Sequence, residues 1–130
     1  SELQTDNEFE LIDAPSHLKN VNDYFACKVI GESMNRVIPN GSICLFKLYT
    51  GGSRNGKIVL VENLDKQDVD FNSAFTVKTY TSEKIITNEG WKHSEIKLLP
   101  NSFDESYSPI NISEANAENM KIIGEFVSII

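Results

Sequence analysis

A serine at the end of a predicted strand is the first candidate for chemistry in this sequence. Ser33 follows the apolar run Tyr24–Ile30 within the motif Gly31-Glu32-Ser33-Met34. Gly31 lets the backbone bend sharply, which would place Ser33 where a strand turns, beside outward-pointing N–H groups. A nucleophilic serine needs such donors, because they stabilise the oxyanion that its attack creates. A serine in a turn is commonly only a turn former, so the motif needs a residue that activates it.

Lys78 is the candidate for that activating base. A lysine can accept a proton only when it is neutral, and desolvation would lower its pKa toward the working range. Strand alternation puts Thr76, Lys78 and Tyr80 on one face of a predicted apolar strand, so the Thr76 hydroxyl is placed to orient the amine. No Asp or Glu occurs between residues 71 and 80. The alternative is a solvated lysine whose stem lies along the sheet surface.

Other reactive side chains form no comparable set. His17 and His93 are far apart, in polar surroundings, and we expect both at the surface, which leaves a Ser–His–Asp triad without support. Cys27 and Cys44 lie in apolar runs without CxxC spacing, which predicts two buried thiols in a reducing compartment. We expect no metal site and no cofactor.

The elements that would position Ser33 and Lys78 are short strands. Runs rich in β-branched and aromatic residues, bounded by turn formers, predict strands over residues 24–30, 43–49, 57–62, 74–80, 84–87, 96–99 and 122–130. Helix is limited to one turn near Met34 and a short piece at 113–119. The polar stretch 64–73 predicts an exposed loop. The fold class is therefore mostly β, a folded sheet or partial barrel with little helix.

Length and charge limit the remaining possibilities. Residues 1–20 are polar and predict an N-terminal arm or linker, and residues 21–130 predict one compact domain. The net charge of −7 repels phosphate backbones, so we expect no direct nucleic-acid binding, and an oligonucleotide-binding barrel fits the strand count but not the charge. No apolar run approaches the roughly 20 residues of a membrane span, and the polar N-terminus is unlike a signal peptide. We expect a cytoplasmic protein.

Several motifs, taken in order, resemble those of the LexA/UmuD-like serine-lysine peptidases, which include phage repressor C-terminal domains and are related to signal peptidases. They are Gly31-Glu32-Ser33-Met34, Pro39-Asn40-Gly41, Gly56-Lys57-Ile58-Val59, Val77-Lys78, Leu98-Leu99-Pro100-Asn101-Ser102 and Ile122-Ile123-Gly124-Glu125-Phe126-Val127. The resemblance covers residues 24 to 130 and implies a LexA/signal-peptidase-like fold. The chain departs from the pattern at Ser42, where the family often has Asp, at Thr79, where it often has Arg, and in a longer loop at 64–73.

The resemblance implies a Ser–Lys endopeptidase. Ser33 would be the nucleophile, Lys78 the general base and Thr76 the helper that orients the amine. The N–H of Met34 would join that of Ser33 in an oxyanion hole after the bend at Gly31.

The implied setting is a self-cleaving regulatory module of a repressor or stress-response protein, whose DNA binding would come from a separate N-terminal domain. Self-cleaving members are cut at Ala-Gly or Cys-Gly, and this chain contains neither dipeptide. We therefore expect a scissile bond before residue 1, a chain that is already the product, or a peptide substrate in trans.

A non-catalytic homodimerising module is the alternative function. The closing apolar residues 126–130 would then offer a strand edge to a second copy. An ordinary core strand explains the same residues equally well.

Overall fold

The computed structural model describes residues 8–12, 23–64, 75–86, 88–90 and 92–130. These residues contain strands and one 3₁₀ helix, but no α-helix. The elements are β1 (Glu8–Ile12), β2 (Tyr24–Ile30), β3 (Ser42–Leu48), β4 (Ile58–Asn63), β5 (Phe75–Ile86), β6 (Lys92–Leu99), β7 (Ile110–Ser113), the 3₁₀ helix (Glu114–Asn119) and β8 (Met120–Ile129). The prediction of a mostly β fold is confirmed.

All eight strands form one antiparallel sheet in the order β1-β2-β3-β8-β4-β5-β6-β7. Strands β1 and β5 approach each other although four strands, β2, β3, β8 and β4, lie between them in the sheet. The sheet therefore curls back on itself, as expected for the predicted partial barrel. This curl brings the end of β2, which leads to Ser33, toward β5, which carries Lys78.

The structure departs from the predicted elements at three places. Strand β1 lies within residues 1–20, where an irregular arm was expected, and pairs with β2 from Glu8 opposite Ile30 to Ile12 opposite Ala26. Strand β7 was not predicted, although its buried Ile110 and Ile112 alternate with exposed neighbours. The predicted strands at 74–80 and 84–87 are one continuous β5. The rest of residues 1–20, with His17, and the predicted loop beyond Leu64 lie outside the described residues, so the division into arm and domain stays a prediction.

The suggestion that the closing residues 126–130 offer a strand edge to a second copy stays a prediction. Strand β8 lies between β3 and β4, and its backbone pairs with both, for example Ile129 with Cys44 and Ile122 with Val61. The pairing with β4 covers Met120 to Glu125, whereas Phe126, Ser128 and Ile129 are paired with β3 only. Homodimerisation itself stays a prediction.

Two apolar clusters pack in the curled sheet. The first contains Met34, which follows Ser33 directly, together with both cysteines and Phe46. The ring of Phe46 stacks on Phe25 at 5.4 Å between centroids and meets Phe126 edge-on at 6.0 Å. The second cluster includes Val59, Tyr80 and Leu98. The turn that carries Ser33 is therefore anchored in the core through Met34.

Within the part of the chain that the structure describes, no helix has the length and apolar character needed to cross a bilayer.

Candidate active site

Ser33 lies in a tight turn directly after β2. The backbone bends at Gly31, whose φ of 134° is in the region that favours glycine. The Gly31 N–H donates to Asn40 Oδ1 at 2.8 Å, and the Gly41 N–H donates to the Val29 carbonyl at 2.8 Å. The predicted Pro39-Asn40-Gly41 turn therefore braces the bend. Together these contacts fix the position at which the chain leaves β2 and reaches Ser33.

Lys78 reaches Ser33 from β5. Its Nζ donates to Ser33 Oγ at 2.8 Å and to Thr76 Oγ1 at 2.6 Å. Thr76 and Lys78 are two residues apart on one strand, so their side chains lie on the same face, as the alternation predicted. The structure thus brings together the three side chains that the sequence analysis selected.

The three side chains are buried. Burial removes the water that stabilises a charged ammonium, and the hydroxyls of Ser33 and Thr76 are uncharged. Burial therefore favours the neutral amine, which is the form that can accept a proton from a serine. The arrangement can therefore transfer the Ser33 Oγ proton directly to Lys78 Nζ.

Met34 is buried, and its side chain packs in the first apolar cluster. Its carbonyl accepts hydrogen bonds from the N–H groups of Val37 at 3.0 Å and Ile38 at 2.7 Å. These two bonds close the turn that follows Ser33. Met34 therefore anchors the turn in the core, while the contribution of its N–H to an oxyanion hole stays a prediction.

A second segment, Asn101–Phe103, contacts the Ser33 turn. The Asn101 N–H donates to the Ser33 carbonyl at 2.8 Å, and the Arg36 N–H donates to the Asn101 carbonyl at 3.1 Å. In the sequence, Asn101 stands out only as part of a motif, and these contacts were not predicted. The proline before Asn101 ends β6 and was the available signal for a special conformation there.

The two cysteines are buried free thiols, as predicted. They lie opposite each other on β2 and β3. Burial, together with the nearby charge of Cys44, raises the pKa of Cys27 to about 12, and burial raises the pKa of Cys44 to about 11. Both thiols are therefore protonated at neutral pH and are poor nucleophiles. The side chain of His93 lies outside the described residues.

Among the residues that the structure describes, no group of three or more His, Cys, Asp and Glu side chains could hold a metal ion. A cavity of about 380 Å³, lined in part by Tyr49, Arg54 and Met120, does not include Ser33 or Lys78. Since Ser33 is fully buried, a substrate reaches its Oγ only when neighbouring groups move aside.

A family model described as Peptidase S24-like matches residues 2–127, a span that includes the Ser33 turn and β5. No curated protein matches the chain. The family match covers nearly the whole sequence, and its peptidase description agrees with a serine hydroxyl held beside a buried amine. The chain belongs to the Peptidase S24-like family.

Proposed function

We propose that this protein is a serine endopeptidase in which Ser33 is the nucleophile and Lys78 the general base. The observation that supports it is the 2.8 Å separation between Ser33 Oγ and Lys78 Nζ inside the protein. Membership of a peptidase family supports the same reaction class. A buried lysine in contact with a buried serine costs stability, because an amine loses hydration there, and such costs are typical of functional sites.

The reaction follows from the contacts. Neutral Lys78 Nζ takes the Oγ proton while Oγ bonds to the peptide carbonyl carbon, which gives a tetrahedral oxyanion. The N–H groups of Ser33 and Met34 are the proposed donors to that oxyanion. The Lys78 ammonium then protonates the leaving amine, and the C–N bond breaks to give an acyl-enzyme. Lys78 next takes a proton from a water molecule while the water oxygen bonds to the ester carbon. The Lys78 ammonium then returns this proton to Ser33 Oγ as the ester C–O bond breaks, which releases the acid and restores Ser33 and neutral Lys78.

Thr76 orients the amine in this scheme. Its Oγ1, at 2.6 Å from Nζ, accepts one amine N–H and so limits the directions that the Nζ lone pair can take. The lone pair is then directed at Ser33 Oγ rather than elsewhere in the pocket. Thr76 touches the base but not the substrate, so it is a positioning residue.

We further propose that the substrate is a peptide segment, either from the same polypeptide or from another protein, and that cleavage serves regulation in a repressor or stress-response protein. The burial of Ser33 supports a regulated enzyme, because a closed site hydrolyses passing peptides slowly. The homodimerising module remains the alternative, and it requires no reaction at Ser33.

Labelling with a small alkyl fluorophosphonate tests the proposal without a known substrate. The Ser33 oxygen would displace fluoride from phosphorus and lose its proton to Lys78, and intact-mass spectrometry would follow the adduct. We expect one slow adduct, located on the peptide that contains Ser33. It should be absent in Ser33→Ala and at least about 100-fold slower in Lys78→Ala.

The control for the labelling is Lys97→Ala, which removes an exposed lysine from β6 and should leave the rate unchanged. Equal labelling of the wild type, Ser33→Ala and Lys78→Ala would show that the assignment is wrong.

A further inference from the structure

The Ser33 turn is fastened to the segment Asn101–Phe103 by contacts from both backbones. The Asn101 N–H donates to the Ser33 carbonyl at 2.8 Å, and the Asn101 carbonyl accepts from the Arg36 N–H at 3.1 Å. These two bonds make Asn101 a bridge between the residue with the nucleophile and the end of its turn. We call Asn101–Phe103 the clamp segment.

Two side chains of the turn hold the clamp segment in place. Asn35 Oδ1 accepts the Phe103 N–H at 2.8 Å, and Arg36 Nε donates to the Ser102 carbonyl at 3.0 Å. The Arg36 guanidinium also lies 4.6 Å from the centre of the Phe103 ring, within cation–π range. Asn35 and Arg36 therefore bind the two residues that directly follow Asn101.

The bond from Asn101 has a consequence for the proposed oxyanion hole. The Ser33 carbonyl and the Met34 N–H belong to the same planar peptide unit and point in opposite directions. A donor that fixes the carbonyl on one side therefore fixes the direction of the N–H on the other. Asn101 thus sets the orientation of the Met34 N–H, which must meet the oxyanion at hydrogen-bond distance.

We infer that Asn35 and Arg36 are positioning residues for acyl transfer, because they hold the clamp segment whose Asn101 N–H orients the Ser33–Met34 peptide unit. This inference rests on the proposed function and adds to it two residues that touch neither Ser33 Oγ nor Lys78 Nζ. Both side-chain hydrogen bonds are exposed, so the overall fold depends on them little. Catalytic geometry depends on them more, because small displacements of reacting groups cost large factors in rate.

Asn35→Ala tests the inference most simply, because it removes the acceptor for the Phe103 N–H. We expect its fluorophosphonate labelling rate to fall about tenfold at every pH, since the base is untouched and only the geometry is degraded. The pH midpoint of labelling should stay where it is in the wild type. Asn35→Asp, which keeps an acceptor oxygen at this position, should restore the plateau rate to within about threefold.

Asn55→Ala is the matched control. Asn55 Oδ1 accepts the Ser82 N–H at 3.1 Å, so it removes the same kind of exposed side-chain acceptor away from the Ser33 turn. It should label at the wild-type rate, and its melting temperature should fall by about as much as that of Asn35→Ala. Equal labelling of Asn35→Ala and the wild type would overturn the clamp inference and leave the proposed function standing. An unlabelled wild type would instead overturn the proposed function.

Amide hydrogen exchange tests the structural claim, that Asn35 holds Asn101 against Ser33, without using the labelling reaction. In Asn35→Ala the Asn101 amide should exchange about tenfold faster, because the residues that hold it against Ser33 are released. The Gly41 amide, bonded to the Val29 carbonyl at the base of the same turn, should keep its wild-type rate. Unchanged exchange at Asn101 would contradict the role given to Asn35.

Discussion

The chemistry proposed for this protein depends on three buried side chains and the distances among them. Lys78 Nζ lies 2.8 Å from Ser33 Oγ and 2.6 Å from Thr76 Oγ1. In the proposed mechanism each contact affects the rate of acyl transfer in a different way. The proton passes along the first contact, and the second orients the amine that receives it. Substitutions that remove one contact and keep the other can therefore distinguish the two roles.

Substitution of Thr76 tests the orienting contact. Thr76→Ala should lower the fluorophosphonate labelling rate of Ser33 by about tenfold, because the amine loses a hydrogen-bond partner that directs it. Thr76→Ser keeps the hydroxyl and should recover most of the rate. If serine and alanine at this position give the same rate, the hydroxyl has no orienting role and only packing matters.

We expect the stability of the folded protein to depend on pH through its two buried cysteines. In the unfolded chain a thiol loses its proton near its ordinary pKa of 9.0, whereas the folded pKa is about 12 for Cys27 and about 11 for Cys44. Folding therefore binds protons above pH 9. The stability contributed by the thiols is fully present below pH 9 and is lost as pH rises toward the folded values.

We expect the free energy of unfolding, measured in urea, to fall by about 1–2 kcal/mol per thiol between pH 8 and pH 10.5. Cys27→Ala should have lower stability at pH 8, because it leaves a small cavity, but a shallower fall with pH. An identical pH slope in the wild type and in Cys27→Ala would contradict the assigned shift.

The arrangement of the strands determines which of these side chains lie close together. Strand β5 carries Thr76 and Lys78 to the interior by simple alternation, and the bend after β2 presents Ser33 to them. Both features follow from local sequence, whereas the meeting of Ser33 with Lys78, 45 residues further along the chain, was expected from the family resemblance. The clamp segment could not be expected, because its main contact uses backbone groups that every residue possesses.

A side chain at Gly124 of β8, in the middle of the sheet, would come too close to neighbouring atoms. A Cβ there would lie 2.9 Å from the Phe25 ring and 3.0 Å from the Lys47 carbonyl oxygen. Gly124→Ala should therefore destabilise the protein by about 1–3 kcal/mol, measured as the shift in urea midpoint. Ser128→Ala, at an exposed position of the same strand, should change stability by less than about 0.5 kcal/mol. A Gly124→Ala protein as stable as the wild type would show that Phe25 moves aside freely.

The molecule as a whole shows where sequence reasoning succeeds and where it stops. Residues 24–30 form the predicted strand, because a β-rich run bounded by turns determines its own structure. The place of β8 between β3 and β4 depends on contacts far apart in the chain, which local sequence does not encode. Strand β1 was missed because Phe9 and Leu11 alternate with glutamates over only five residues, too few for a firm pattern.

The curled sheet connects these levels, because it brings β1 near β5 and buries the side chains of Ser33, Thr76 and Lys78. At the protein surface, hydration keeps a lysine amine charged, and an ammonium cannot accept the proton of a serine hydroxyl. Lys78 is buried, and this loss of hydration favours the neutral amine that the proposal requires. The peptidase chemistry proposed here therefore follows from burial as much as from the identity of the residues.

The protonation state of Lys78 is the decisive measurement, and side-chain NMR of lysine labelled with ¹³C at Cε can follow it. The Lys78 signal is assigned by its loss in Lys78→Arg, and its pH titration is compared with the pH dependence of Ser33 labelling. We predict that the two curves coincide, with labelling rising as Lys78 loses its proton. A labelling rate that reaches its plateau while Lys78 is still an ammonium would contradict its role as the base.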